Sequence, residues 1–379
     1  MEAKKLEYRW SSLKEKTAPY VLLSPFLFGF IIFFGYAFIR SLYFSFTDYD
    51  LFSMPNWVGI TNYINLFKEH LFTRALKNSL TFAIIVTTLQ TIFALLLAVA
   101  MNQKIKGINF FRTAYYMPSI TSSIVITLIF IWMFQRKGVI NYLLTLLHQY
   151  GLTIGIFLTL LVGIQLLLVV IEKLRGRPVE YFEPSYVILS IIFAALITYL
   201  LKDFNIITTA EAKAVDIFWL NTREKVPSWA GPLAFPRPLG AIMILNIWTT
   251  VPTFMILYLA GLQGIPKVLY EAAEVDGAKG WQKFWYITVP QLKHITFLIV
   301  TLGLIGTLQM FDQVKIIGGQ APLESTITLA YYVYYSAFPG ASAPRIGMAA
   351  AAAIILAVLT LIVVLIQKIF FGDGKDLRD

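Results

Sequence analysis

Residues 346–371, IGMAAAAAIILAVLTLIVVLIQKIFF, hold no charged side chain before Lys368. A run of that length matches the roughly 20 residues a helix needs to cross about 30 Å of hydrocarbon at 1.5 Å per residue. Apolar runs set against charged breaks give eight candidate spans, at about 19–44, 78–101, 118–135, 152–171, 185–201, 239–262, 294–312 and 346–371. In lipid every backbone polar group must find its partner inside the protein, so spans of this kind are helices. The expected fold is all-α: a polytopic transmembrane bundle of about eight spans. The composition agrees, with 58% hydrophobic and 14% charged residues.

The net charge of +10 is spread through short loops beside the spans, which points to membrane topology and away from a nucleic-acid surface. With no cysteine and 3 scattered histidines, disulfides and thiolate or histidine metal clusters are excluded. The basic N-terminal MEAKKLEYRWSSLKEKT precedes the apolar run from Tyr20 to Tyr43 and reads as the lead-in to a retained first span. An even number of spans puts both termini on one side. The larger share of Lys and Arg, in KIKGINFFR (104–112), EKLRGRP (172–178), the segment around Glu271 and the tail, marks that side as cytoplasmic. The outer loops, SMPNWVGITNY (53–63) and NTREKVPSWAGPLAFPRP (221–238), are rich in aromatics and proline, which suits either an outer partner or interfacial aromatic belts. The pair 152–171 and 185–201, joined by a short basic turn, could be removed without reversing any other span, and reads as an inserted hairpin.

No P-loop occurs, and Gly372-Asp373-Gly374-Lys375 has neither its spacing nor a preceding strand, so this chain does not bind nucleotide through a P-loop and any ATP must be used elsewhere. Neither a nucleophile elbow nor an H-E-x-x-H helix is present, and no span holds paired carboxylates. The most informative stretch is GIPKVLYEAAEVDGAKGWQKFWYITVP, residues 264–290. Pro266 suits a helix start, Ala272 and Ala273 favour helix with a low surface, and Asp276-Gly277 stops it. A second helix from about Ala278 would carry Trp281, Phe284 and Trp285, with Pro290 bending the chain into the next span. Such a helix suits either a docking surface with Glu271 as its charge or an interfacial amphipathic segment.

Glu271-Ala272-Ala273, Gly277 and the close Ile287 to Pro290 resemble, in order and spacing, the EAA loop of permease subunits from ATP-binding-cassette importers. The surrounding LAGLQGIPKVLYEAAEVDGAKGWQKFWYITVPQL is similar to the carbohydrate branch, the maltose-type and multiple-sugar permeases. LLSPFLFGF (22–30), WVGITNYINLF (57–67), ALKNSLTF (75–82), FFRTAYYMPS (110–119), MFDQVKIIGG (310–319) and STITLAYYVYYSAF (325–338) agree with it. The resemblance departs at about 151–215, where the hairpin sits.

It implies a six-span permease core plus the hairpin, in a bacterial or archaeal cytoplasmic membrane. Segments would run 1–18 cytoplasmic, 19–150 first core spans, 151–215 hairpin, 216–371 remaining core and 372–379 cytoplasmic tail. The implied partners are a second homologous permease, a cytoplasmic ATPase dimer, an extracellular or periplasmic solute-binding protein, a sugar and membrane lipid. ATP and Mg would belong to the ATPase, and this chain would be no enzyme. Glu271, Ala272, Ala273, Asp276, Gly277 and Pro290 would couple to the ATPase. Asn246, Trp248, Thr250, Thr253, Gly303, Thr307, Gln309 and Met310 stand at positions similar to those lining the sugar cavity of maltose-type permeases, with Ser122 a weaker match. Thr307 and Met310 replace amides there, and each Thr or Ser could instead bond its own helix backbone. Asp312 reads either as a snorkelling charge or as a gate partner. A permease for glycerol phosphate would require a cation in a span, a lipid-linked-sugar transferase would need an acidic motif that Asp48, Asp50 and Asp216 do not make, and a proton-driven carrier would need ionisable residues within spans.

Overall fold

The computed structural model describes residues 17–103, 107–176, 183–204, 206, 214–340 and 342–371. Most of the N-terminal segment 1–18, part of the basic stretches at 104–112 and 172–178, and the tail 372–379 lie outside the described residues. Among the described residues, seven helices are long and apolar enough to span: α1 Thr17–Ser45, α3 His70–Met101, α6 Val139–Leu174, α7 Pro184–Asp203, α8 Arg237–Gly264, a run Lys293–Gln320 that opens with α12 Lys293–Leu308, and α16 Ile346–Phe371. A bent pair, α4 Ile108–Ile120 and α5 Ser123–Met133, makes the eighth. Short helices fill the connections: α2 Thr61–Lys68, α9 Lys267–Val275, α10 Gly280–Lys283, α11 Val289–Gln291, α13 Asp312–Ile317, α14 Leu323–Thr326 and α15 Leu329–Ala337. A two-residue antiparallel ladder, Lys225–Val226 with Phe235–Pro236, is the one sheet among the described residues.

Three expected spans take a different form. The third is no straight helix over 118–135: Pro118 sits inside the end of α4, Thr121 is extended, and α5 leaves at 97°. Proline removes one rung of the helix ladder, and Thr121-Ser122 absorbs the turn. The helix over 152–171 begins at Val139, because His148, Gln149 and Gly151 interrupt hydropathy without breaking helical backbone. The span over 294–312 closes at Leu308, and a break at Gln309 to Phe311 separates it from α13.

The described chain divides into two compact units, 17–127 with 223–371 and 128–222. In the larger unit α3 is central. Its inner half packs Ala94, Ala98 and Met101 against Val251, Met255, Tyr258 and Leu262 of α8, with Leu292 and Ile299. Its outer half joins Phe72 and Ala75 to Ile327, Leu329, Tyr332 and Ala351. Small side chains let α3 and α8 approach closely. The stretch 325–329, where α14 gives way to α15, is buried, so its backbone needs partners. Asn78 Nδ2 donates to Ile327 O at 2.9 Å and Glu324 O at 3.2 Å, and Ser79 Oγ accepts from Leu329 N at 2.8 Å. Glu69, before α3, accepts from Tyr332 Oη at 2.6 Å and pairs with Arg345 at 3.2 Å.

In the smaller unit α6 and α7 pack along Ser190, Ala194 and Thr198, and Ser190 Oγ donates to Gln165 Oε1 at 2.7 Å. The segment 214–220 is pinned to the start of α6: Asn141 Nδ2 donates to Ile217 O at 2.9 Å and Asn141 Oδ1 accepts from Trp219 Nε1 at 2.8 Å. Asp216 pairs with Arg136, whose hydrogen bonds hold the carboxyl below its ordinary value.

Gly347, at the start of α16, marks the tightest backbone approach. Its N–H donates to Tyr49 O at 3.0 Å, and a Cβ there would lie 2.0 Å from Thr47 O. Gly347→Ala is expected to lower stability by about 1–3 kcal/mol through this overpacking, read as a reduced melting temperature in detergent. An unchanged melting temperature contradicts the packing described.

Candidate functional site

Two regions of the larger unit concentrate the features expected of a site. The first is the loop after α8. Ile265 precedes Pro266 and is extended, which ends α8 at Gly264, and Pro266 opens α9. The close of α9 uses a left-handed Gly277 at φ 75°. Gly277 N donates to Glu274 O at 3.0 Å and Ala278 N to Ala273 O at 2.8 Å, the paired bonds of a Schellman close. A side chain at 277 would be strained in this conformation, so Gly277 fixes where the helix stops.

No residue of α9 is buried. Glu271 and Ala272 are exposed, Ala273 is half-buried, and Asp276 and Gly277 are exposed beyond them. Val275 is 89% exposed and Trp281 60%. Val275 on α9 and Trp281 on α10 thus present large apolar side chains near the exposed Glu271. The second helix starts at Gly280, not Ala278, and after four residues passes through a π turn, Phe284–Thr288, into α11. Pro290 lies in the first turn of α11 and is exposed; the turn into α12 comes two residues later, at Leu292.

The second region is a polar cleft of about 250 Å³ where α4 bends into α5, opposite α8 and α13. Ser119, Thr121, Ser123, Thr249, Thr250, Thr253 and Gln313 line it, with Pro118, Ile126 and Leu245. Thr250 and Thr253 therefore share one cleft, and Ser122 sits at the bend between two lining residues. Trp248 lies in a different hollow, of about 590 Å³ and apolar, with Leu89, Phe93, Tyr115 and Pro252. Asn246 stands behind the cleft: its Nδ2 donates to Gln313 Oε1 at 3.1 Å, and its Oδ1 accepts from Gln90 Nε2 at 2.8 Å.

The remaining candidates from α12 onward are placed elsewhere. Gly303 faces Thr87 of α3, where a Cβ would come within 2.9 Å of its methyl. Buried Thr307 donates to Gly303 O at 2.7 Å and contacts Thr87 Oγ1 at 3.2 Å. Gln309 is exposed past the end of α12, and Met310 is buried with its carbonyl accepting from Thr328 Oγ1 at 2.7 Å.

Sequence reasoning passed over Gln90, Gln313, Ser119, Thr121, Ser123 and Thr249. Gln90 carried a usable signal, an amide deep in an apolar span and 1% exposed. Its Oε1 has no hydrogen-bond partner among the described residues. Gln90→Leu strips Asn246 Oδ1 of its donor, so a loss of about 1–3 kcal/mol is expected. Thr253→Val, on the open cleft wall, is expected to stay within about 0.5 kcal/mol. Thermal unfolding of both variants in one detergent checks the contrast, and equal losses would contradict it.

Comparison with known proteins bears on both regions. The chain is 27% identical over 367 residues to the probable ABC transporter permease protein YurN of Bacillus subtilis, covering 96% of this chain and 99% of YurN. It is 26% identical over 365 residues to AraP of Halalkalibacterium halodurans, an arabinooligosaccharides transport system permease protein, covering 95% of this chain and 90% of AraP. Its fold matches a chain from the crystal structure of a bacterial ABC transporter involved in import of the acidic polysaccharide alginate, with a TM-score of 0.65 and 20% identity over 96% of this chain and 98% of that one. The family model for the binding-protein-dependent transport system inner membrane component matches residues 181–372, which include α8, the loop closed by Gly277 and Gln313. The chain therefore belongs to the family of inner membrane components of binding-protein-dependent transport systems, the permease subunits of ATP-binding-cassette importers.

Proposed function

We propose that this permease carries a neutral sugar or oligosaccharide, forming half of a pathway completed by a second homologous permease. The observation that carries the reading is the placement of both regions on α8. Thr249, Thr250 and Thr253 face the polar cleft in mid-helix, and the same helix ends at Gly264, just before Pro266 caps the exposed α9. Hydroxyls and an amide are the groups that exchange hydrogen bonds with a sugar at a depth where leaving polar groups without partners is costly. Glu271, Ala272, Ala273, Asp276 and Gly277 form the surface offered to an ATPase on the cytoplasmic side, and a solute-binding protein delivers the sugar from outside. ATP and Mg are held by the ATPase, and this chain performs no catalysis. The hairpin over 151–215 is an insertion into the six-span sequence pattern of such permeases.

An importer for a glycerol phosphate is the second reading. A phosphate in a membrane cavity needs a cation beside it. The residues lining this cleft are all neutral, which favours the sugar.

Reconstitution of the chain with its partner permease, ATPase and binding protein in proteoliposomes tests this reading. ATP-dependent uptake of a neutral oligosaccharide is expected, and Thr250→Val with Thr253→Val is expected to reduce it roughly tenfold, as for two hydrogen bonds of about 0.7 kcal/mol each. Glu271→Lys with Gly277→Val is expected to abolish co-purification of the ATPase. Uptake restricted to anionic solutes, or ATPase retained by that second variant, overturns the proposal.

A further inference from the structure

The exposed α9 joins the bundle through few side chains, and one of them differs in kind. Tyr270 turns inward from α9 and packs against the buried cluster that contains Tyr258, Leu262 and Leu292. Its Oη lies 2.9 Å from Thr288 Oγ1. Thr288 is buried, is the last residue of the π turn, and donates to Lys283 O at 3.4 Å. Either hydroxyl can donate in this pair, and through it α9 is linked to the π turn. The other link across the loop, Lys283 Nζ to Glu274 Oε1 at 2.6 Å, has a Glu274 side chain 65% exposed. An exposed ion pair of this kind holds geometry weakly.

Beyond Thr288 the chain is fixed on several sides. Leu292 is buried, and Thr296 Oγ1 accepts from Tyr258 Oη of α8 at 3.0 Å. Gln367 of α16 donates to Phe297 O at 2.9 Å and accepts from Thr301 Oγ1 at 3.0 Å. At the far end of α12, Thr307 meets Thr87 of α3, and Gln313 follows on the cleft wall. A helix tied this way shifts as a unit, and π turns are common where helices serve a function.

We infer that the Tyr270–Thr288 hydroxyl pair is the joint that passes displacement of α9 to α12, making these two residues positioning residues for coupling. The inference rests on the reading of α9 as the ATPase-docking helix. Neither residue needs to touch the ATPase or the sugar; the pair keeps the docking helix and the span in one register. A thermodynamic cycle across the pair measures the coupling directly.

The experiment uses the full complex in proteoliposomes, with Tyr270→Phe, Thr288→Val, the double variant and Thr288→Ser. Tyr270→Phe keeps the ring in the apolar cluster and removes only the hydroxyl. Sugar taken up per ATP hydrolysed is expected to fall about fivefold or more in each single variant, while ATPase co-purification and melting temperature hold. The double variant should be no worse than either single one, and Thr288→Ser should restore the ratio. A wild-type uptake-to-hydrolysis ratio in both single variants overturns the inference. So does a loss that tracks failed assembly with no rescue by Thr288→Ser, or additive losses in the double variant. If the wild-type complex shows no ATP-dependent uptake at all, the transport reading itself fails, a result distinguishable from every variant outcome.

Discussion

The larger unit depends on the obligation, inside a bilayer, to give every buried polar group a partner within the protein. Helix α3 discharges much of that obligation. Asn78 and Ser79 serve the backbone of the irregular segment between α14 and α15, Thr87 meets Thr307, and Gln90 meets Asn246. Each of these side chains would be costly alone in an apolar helix, and each instead specifies which neighbour α3 packs against and in what register. Apolar surface cannot do this in lipid, because a leucine face gains little by leaving acyl chains for another leucine face.

The same rule shapes the cleft. Where α4 bends into α5, helical hydrogen bonding is interrupted by Pro118 and the extended Thr121, and Ser119, Thr121 and Ser123 gather there. A bend that leaves backbone groups without helical partners is tolerated in a membrane only where protein or a hydrated cavity receives them. The interruption and the polar cleft are thus two aspects of one local solution. Thr249, Thr250 and Thr253 on α8 face it, and the chain Gln90, Asn246, Gln313 orients the amide on its wall.

The loop after α8 follows a different logic, since α9 has no buried residue and reaches the bundle mainly through Tyr270. Its order comes from local backbone chemistry: Pro266 at the start of α9, a left-handed Gly277 at its end, and the Gln282 side chain accepting from Lys279 N at 2.7 Å at the start of α10. Rigidity of this kind survives without burial, which leaves the apolar and acidic side chains of α9 available on its surface.

Span count, the helix over 267–275 and its stop at Gly277 were all readable from residue order, because hydropathy over about 20 residues and cap chemistry over three or four are local properties. The resemblance of Glu271 to Pro290 to an EAA loop was equally local, and family membership agrees with it. What residue order could not decide was adjacency between distant segments. It left Thr250 and Gly303 on equal footing, yet Thr250 lines the cleft whereas Gly303 is packed against Thr87. It passed over Gln90 and Gln313, whose meaning lies in an amide 156 positions away from the first and 67 from the second. The 97° bend after Pro118 and the start of α6 at Val139 were likewise settled by backbone geometry that hydropathy does not report. The sequence by itself determined that this chain spans a membrane as helices and ends one of them in a capped, exposed turn. Only the tertiary structure decided which polar side chains face open space and which hold helices together, because both uses demand the same residue types and differ only in what stands opposite.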